Sequence, residues 1–220
     1  MNSESIYGII RLKSRQLAKD IGEYKFYIFL SLIFLVVSLM LNFFAGRYTT
    51  KVGNAVSGDI ILDNIPVFNL SFFYSWGATI IILIMIFYII FFRTNKFHLY
   101  IAHFSLLILV RSFATCLTHL KVPTDTVYVY SNLPFLLRYF SFQNDLFFSG
   151  HVALSFIGFL FFKDSKIRWF FLLGSILMAV TVLLMHAHYS IDVFSAYFIT
   201  YGTFVLGEKL FGRIFKKKSF

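Results

Sequence analysis

The chain has 220 residues, of which 59% are hydrophobic and 21% aromatic, with 31 phenylalanines. Composition excludes an ordinary water-soluble fold, since a domain of this length cannot hide that much apolar surface, and indicates one compact membrane domain. The net charge of +10 does not indicate a nucleic-acid partner, because the basic residues fall in short clusters between apolar runs, and the single Cys116 excludes an internal disulfide framework.

Residues 1–25 mix charges with Ile and Leu and form a basic cytoplasmic segment, either an amphipathic helix on the membrane surface or a solvated flank. The first apolar run, 26–45, has the length of about 20 residues that crosses a bilayer. It is longer than the core of a cleaved signal peptide and does not end in small residues, so it is a retained span. Further apolar runs lie at 72–92, 97–115, 147–162, 168–185 and 191–207. The last three are short, and polar residues begin them, which neighbouring helices or a water-filled cavity can accommodate. The expected fold is all-α: a polytopic membrane protein with six transmembrane helices within residues 26–210, followed by a basic cytoplasmic tail, 211–220.

Fifteen of the 20 Lys and Arg residues flank the side that carries both termini; the other five are Arg47, Lys51, Arg111, Lys121 and Arg138. The positive-inside rule therefore puts both termini in the cytoplasm. Two loops, 46–71 and 116–146, are expected to roof the opposite, exoplasmic face. They carry Asp59, Asp63, Asp125 and Asp145 and all three prolines, Pro66, Pro123 and Pro134. Lys217–Lys218–Ser219–Phe220 has the spacing of a dilysine retrieval signal, but an ordinary positive-inside tail explains it as well. The compact chain points to a bacterial inner membrane over the endoplasmic reticulum or Golgi.

Against this apolar background three ionisable residues stand out. His151 opens the fourth run, His188 opens the sixth, and Asp192 lies one turn further on. Charge in membrane sequence is costly and marks a functional site by default. His188 and Asp192 are spaced i and i+4, so a helix brings them together. A carboxylate on one imidazole nitrogen fixes the tautomer and leaves the other nitrogen as a directed nucleophile. Gly150 lets a ligand approach the backbone closely, and the amides opening that helix can bind a phosphate oxygen. A nucleophilic His, its orienting Asp and a second His acting as acid and then base make a phosphoryl-transfer site without a metal or other cofactor. A purely structural helix-start pair is the alternative for His188 and Asp192. His186 is either part of the site or a loop residue; Arg111 either binds phosphate or anchors a span end; Asp145 binds the headgroup, orients His151 or caps the fourth helix. Further ligands for a His/Asp metal site are not evident.

Ser149–Gly150–His151 together with His188-x-x-x-Asp192 resembles the phosphatidic acid phosphatase type 2 (PAP2) superfamily, and within it the sphingomyelin synthase branch. Gln143–Asn144–Asp145–Leu146–Phe147–Phe148–Ser149–Gly150–His151–Val152 is similar to that branch's C-G-D-x-x-x-S-G-H-T motif. His188–Tyr189–Ser190–Ile191–Asp192–Val193–Phe194–Ser195–Ala196–Tyr197–Phe198–Ile199–Thr200 resembles H-Y-[ST]-x-D-V-x-x-A-Y-x-I-T at every fixed position. Arg111 through Thr118 and Pro123 is similar to the branch's second motif, an Arg followed by an aliphatic stretch, Thr and then Pro, and Asp59–Ile60–Ile61–Leu62–Asp63 fits an acidic loop loosely. The departures are Gln143–Asn144 for Cys-Gly, Val152 for Thr, and a tail after Thr200 without the aromatic and His-rich continuation. Val182 stands where the phosphatase branch has an arginine, and no K-x-x-x-x-x-x-R-P is present. A phosphodiester carries one negative charge and needs fewer cations than a monoester, so this absence favours a diester.

The resemblance implies a membrane lipid headgroup phosphotransferase. Catalysis would rest with His151, His188 and Asp192, and substrate binding with Arg111, Asp145, Ser149, Gly150 and Tyr189. The donor would be a membrane phospholipid and the acceptor a lipid hydroxyl such as ceramide, both within the lipid bilayer, with phosphocholine or phosphoethanolamine passing through a phosphohistidine. With water as acceptor the same site is a phospholipase C or lipid phosphate phosphatase. A transporter or silent lipid-binding scaffold is the remaining class, though it would not need His151, His188 and Asp192 together.

Overall fold

The computed structural model describes residues 3–54, 58–127, 142 and 144–215, with side chains from Arg15 onward. Pro134, Arg138, Gln143 and Lys217–Phe220 lie outside the described residues. Among those described there are six α-helices: α1 (Ser3–Val52), α2 (Ala78–Phe92), α3 (Phe97–Leu117), α4 (Gly150–Phe161), α5 (Arg168–Leu184) and α6 (Ser190–Ile214). A π-helical turn, Phe73–Gly77, runs directly into α2. The described residues contain no strand, only an isolated bridge between Asn54 and Leu120. The all-α expectation therefore holds for them.

Three stretches are long and apolar enough to cross a membrane: Arg15–Val52, Phe73–Phe92 and Thr94–Leu117; the apolar helices α4 and α5 are shorter. On the first two of these stretches Phe29, Phe44, Leu83 and Phe87 are exposed, as befits helices able to face hydrocarbon. α1 has 50 residues, about 75 Å at 1.5 Å per residue, against a hydrocarbon core of about 30 Å. The basic N-terminal segment thus continues the first helix. No proline precedes Pro66, so nothing removes a donor from this ladder.

α1 packs along α3. The buried face of α1 carries Ser31, Ser38 and Ala45, and that of α3 carries Ala102, Ser105 and Ser112. Small side chains let two helix backbones approach closely where no hydrophobic force distinguishes lipid from protein. α4 packs on α5 and α6, and α6 also meets α3. The core between them holds Phe148, Val152, Ile157, Phe162, Phe171, Val182 and Ala196, with Ile81, Met85 and Ile89 closing it from α2. The ring of Phe171 occupies the place a Cβ would take at Gly158. Helix α4 therefore sits directly against α5 near its C-terminal end.

The described parts of the two loops meet at the end of the bundle where α4 and α6 begin. Asn54 donates its N–H to His119 (2.7 Å) and accepts from Lys121 (2.8 Å), Phe68 donates to Leu184 (2.7 Å), and Val127 donates to Met185 (3.1 Å). The Tyr189 hydroxyl donates to the Lys121 carbonyl at 2.9 Å. The Asn144 side chain accepts from Val122 and donates to Thr50, both at 3.3 Å.

One loop carboxylate reaches further. Asp59 Oδ1 accepts the N–H groups of Ile61 and Leu62, and Oδ2 accepts that of Ser190 at 2.7 Å. Ser190 is the first residue of α6, so Asp59 satisfies a donor that the helix itself leaves orphaned. Burial raises the Asp59 carboxyl, but the hydrogen bonds from Ser190, Leu62 and Ile61 outweigh it and hold its pKa below the ordinary value. Its contribution to stability is therefore complete above the ordinary carboxylate value and is lost as pH falls through the lowered one. Asp59→Ala is expected to reduce the thermal midpoint at pH 7 by a few degrees, from a lost cap worth about 1 kcal/mol. The gap should narrow as pH is taken below 3.8. Thermal unfolding of both proteins across pH checks this, and a gap independent of pH would count against it.

Candidate active site

Asp192 occupies the third position of α6 and has no solvent exposure. Its Oδ2 accepts the Tyr189 N–H at 3.1 Å and contacts His188 Nδ1 at 3.1 Å. Its Oδ1 accepts the Phe147 N–H at 3.2 Å. Two amide donors require an acceptor, so the carboxylate form faces them, and His188 completes the set by donating from Nδ1. The start of α6 adds the positive end of its dipole. These partners compensate the cost of a fully buried anion. With Nδ1–H held by Asp192, the nitrogen left for a ligand on His188 is Nε2.

The same residue binds the start of α6 to the start of α4. The Asp192 carbonyl accepts the Ser149 N–H at 3.1 Å. The Ser195 hydroxyl donates to the Phe147 carbonyl at 2.7 Å. Phe147 has a φ of 104°, a region that costs a non-glycine residue on the order of 1–3 kcal/mol. Both of its backbone polar groups are bonded to α6, which is what maintains that conformation. The two segments singled out in the sequence, Ser149–His151 and His188–Asp192, are thereby brought together.

His151 is the second residue of α4, next to Ser149 and Gly150 at the helix start. Its ring rests against that of Tyr74, with centroids 3.9 Å apart and planes inclined by 40°. Tyr74 was not singled out in the sequence. It lies within an apolar run where one tyrosine among many aromatics carries no signal, and only the π-helical turn marks it.

Arg111 comes from the last third of α3. Its Nη2 pairs with Asp145 Oδ2 at 2.8 Å and donates to the Asp145 carbonyl at 3.2 Å, while Nη1 donates to Asn42 Oδ1 at 3.3 Å. Asp145 is therefore an ion-pair partner and does not cap α4. A Cβ added at Gly150 would meet Arg111 Nε at 3.3 Å, so the glycine is what admits the guanidinium to the helix start. Arg111 Nε is buried without a hydrogen-bond partner among the described residues, and so is the Ser149 hydroxyl. Ser149 is the N-cap of α4, yet its side chain makes no cap bond. The first turn thus presents amides, a hydroxyl and a guanidinium N–H together, the donor set that binds a phosphate oxygen.

Of the remaining histidines, His186 Nδ1 pairs with Asp125 Oδ2 at 2.6 Å. His119 Nε2 meets the Tyr48 hydroxyl at 3.0 Å. His103 faces Glu208, and His98 stacks on Tyr24 and Tyr27. The structure does not bring these four to the His188–Asp192 pair. Among the described residues no group of three or more His, Cys, Asp or Glu side chains is arranged to hold a metal ion. Tyr189 contributes its N–H to Asp192, and its ring packs with Leu62 and Leu146 beneath the loops. Beside it a cavity of about 760 Å³ is lined by Asp59, Asp63, Asp125, His186 and Lys121 among others.

Residues 144–209 match the PAP2 superfamily C-terminal family, PAP2_C. That match supports the PAP2 superfamily. It spans both segments of the site, from Asp145 through Asp192, and leaves Arg111, Tyr74 and Asp59 outside. Members of the superfamily are phosphatases and phosphotransferases acting on phosphate esters, so the PAP2 match and the apolar helices support a membrane enzyme of lipid phosphate chemistry. No curated protein and no solved structure matches the chain.

Proposed function

We infer that the protein is a lipid headgroup phosphotransferase of the sphingomyelin synthase type, moving phosphocholine or phosphoethanolamine from a glycerophospholipid to a lipid hydroxyl such as ceramide. The observation that carries this is the pair of donors without a partner among the described residues, Arg111 Nε and Ser149 Oγ, at the start of α4 beside His151. His188 Nε2 attacks phosphorus, the bond from phosphorus to the diacylglycerol oxygen breaks, and His151 gives that oxygen a proton. The acceptor hydroxyl then loses its proton to His151 and attacks the phosphohistidine; the phosphorus–nitrogen bond breaks and His188 is restored. Asp192 holds the Nδ1 proton throughout and balances the positive imidazole.

Charge supports a diester. The positive charge of Arg111 is already matched by Asp145 at 2.8 Å, and Val182 is fully buried in the core. The helix start and one neutralised guanidinium suit a monoanion better than the dianion of a monoester. The acidic cavity beside Tyr189 suits a headgroup that ends in a cationic amine. Six spans, with α4, α5 and α6 completing the membrane domain, both termini in the cytoplasm and the site on the exoplasmic side, agree with the distribution of Lys and Arg.

Purified full-length protein incubated with headgroup-labelled phosphatidylcholine, with and without ceramide, tests the assignment. Labelled sphingolipid that appears only with ceramide is the expected result. Label released into water as phosphocholine would make the enzyme a phospholipase C instead. Absence of turnover with phosphatidylcholine and phosphatidylethanolamine alike would refute the proposal.

A further inference from the structure

A π-helical turn holds one residue more than an α-turn, so residues ahead of it are rotated by about 100° from where a continuous α-helix would carry them. The turn Phe73–Gly77 does this at the entry to α2, and it is firmly seated. A Cβ at Gly77 would come within 2.6 Å of Met178 Cε on α5, and the Tyr74 N–H donates to the Leu70 carbonyl at 3.0 Å. Tyr74, half-buried within this turn, lies against His151 with ring centroids 3.9 Å apart. Among the described residues no hydrogen bond fixes either ring nitrogen of His151, in contrast to His188.

We propose that Tyr74 is the positioning residue for His151: its ring fixes the imidazole plane so that the proton His151 carries is directed at the leaving oxygen. Tyr74 lies inside the π-helical turn Phe73–Gly77, whose extra residue alters the side-chain directions along it. This rests on the assignment of His151 as the proton donor of a headgroup-transfer reaction.

A leaving group that needs no proton separates this role from a structural one. The full-length protein is compared with Tyr74→Leu and Tyr74→Phe in the first turnover of two donors. One is phosphatidylcholine, whose diacylglycerol oxygen must be protonated. The other is nitrophenyl phosphocholine, whose nitrophenolate departs unprotonated. Tyr74→Leu is expected to slow the first by about 10-fold and to leave the second within about 2-fold, with Tyr74→Phe near wild type on both. Equal loss on both donors, or no rescue by Phe, overturns the proposal. A measurement independent of turnover is carbethoxylation of His151, followed by mass spectrometry. It should run several-fold faster in Tyr74→Leu than in wild type, and an unchanged rate also overturns the proposal. A wild-type protein inert on both donors removes the headgroup-transfer assignment, and the acid role of His151 with it; the carbethoxylation rates then still decide whether Tyr74 governs the His151 ring.

Discussion

His188→Ala is expected to lower headgroup transfer by about 10⁴-fold or more, because it removes the atom proposed to bond to phosphorus. His151 is proposed as the acid and base, and His186 is paired with Asp125 at 2.6 Å. The loss is one of chemistry and not of folding: the His188 side chain makes a single described hydrogen bond, to Asp192. Asp192 retains the Tyr189 and Phe147 amides when His188 is gone. The variant should therefore keep its monodisperse elution in detergent. Trapping gives the direct readout. Brief exposure of wild type to headgroup-labelled phosphatidylcholine should leave label on His188 that is labile to acid and stable to alkali, as a phosphorus–nitrogen bond is. Label that persists in His188→Ala, or full transfer by that variant, would remove His188 from the reaction.

Asp192→Asn is expected to cost both activity and stability, which distinguishes it from the first variant. An amide of the same shape cannot balance a positive imidazole and can present a donor where Asp192 presents an acceptor. Loss of the carboxylate behind a catalytic histidine is worth about 10⁴-fold in a comparable triad. The structural cost follows from three contacts within 3.2 Å, to His188, Tyr189 and Phe147. At least one buried N–H loses its acceptor or faces an opposing donor, a penalty of about 1–3 kcal/mol. Phe147, at a φ of 104°, depends on that contact. Thermal unfolding should show a midpoint several degrees below wild type, alongside the loss of transfer. A fully active Asn variant of unchanged midpoint would contradict both roles given to Asp192.

Much of the site was legible because its residues break a local pattern. His188 and Asp192 are one helical turn apart, so spacing alone predicts their contact, and polar groups at the edges of apolar runs stand out from a sequence that is otherwise hydrocarbon. Helix lengths were less legible. The run at 26–45 lies inside a helix of 50 residues, and the run at 191–207 extends as helix to Ile214. An apolar run reports which part of a helix avoids water. The backbone ladder continues past it wherever proline is absent, through charged residues such as Lys209 and Arg213.

The sequence by itself determined the coarse class: an apolar, membrane-type chain with two histidines and a carboxylate at the starts of two helices. The tertiary structure decided what surrounds them. It set Arg111 against Asp145 and Gly150, Asp59 on the first amide of α6, Phe147 on Asp192, and Tyr74 on His151. Each of these joins residues far apart in the chain, and no periodicity links them. Their geometry is set where helices pack and loops cross, by the need of every buried donor and acceptor to find a partner away from water.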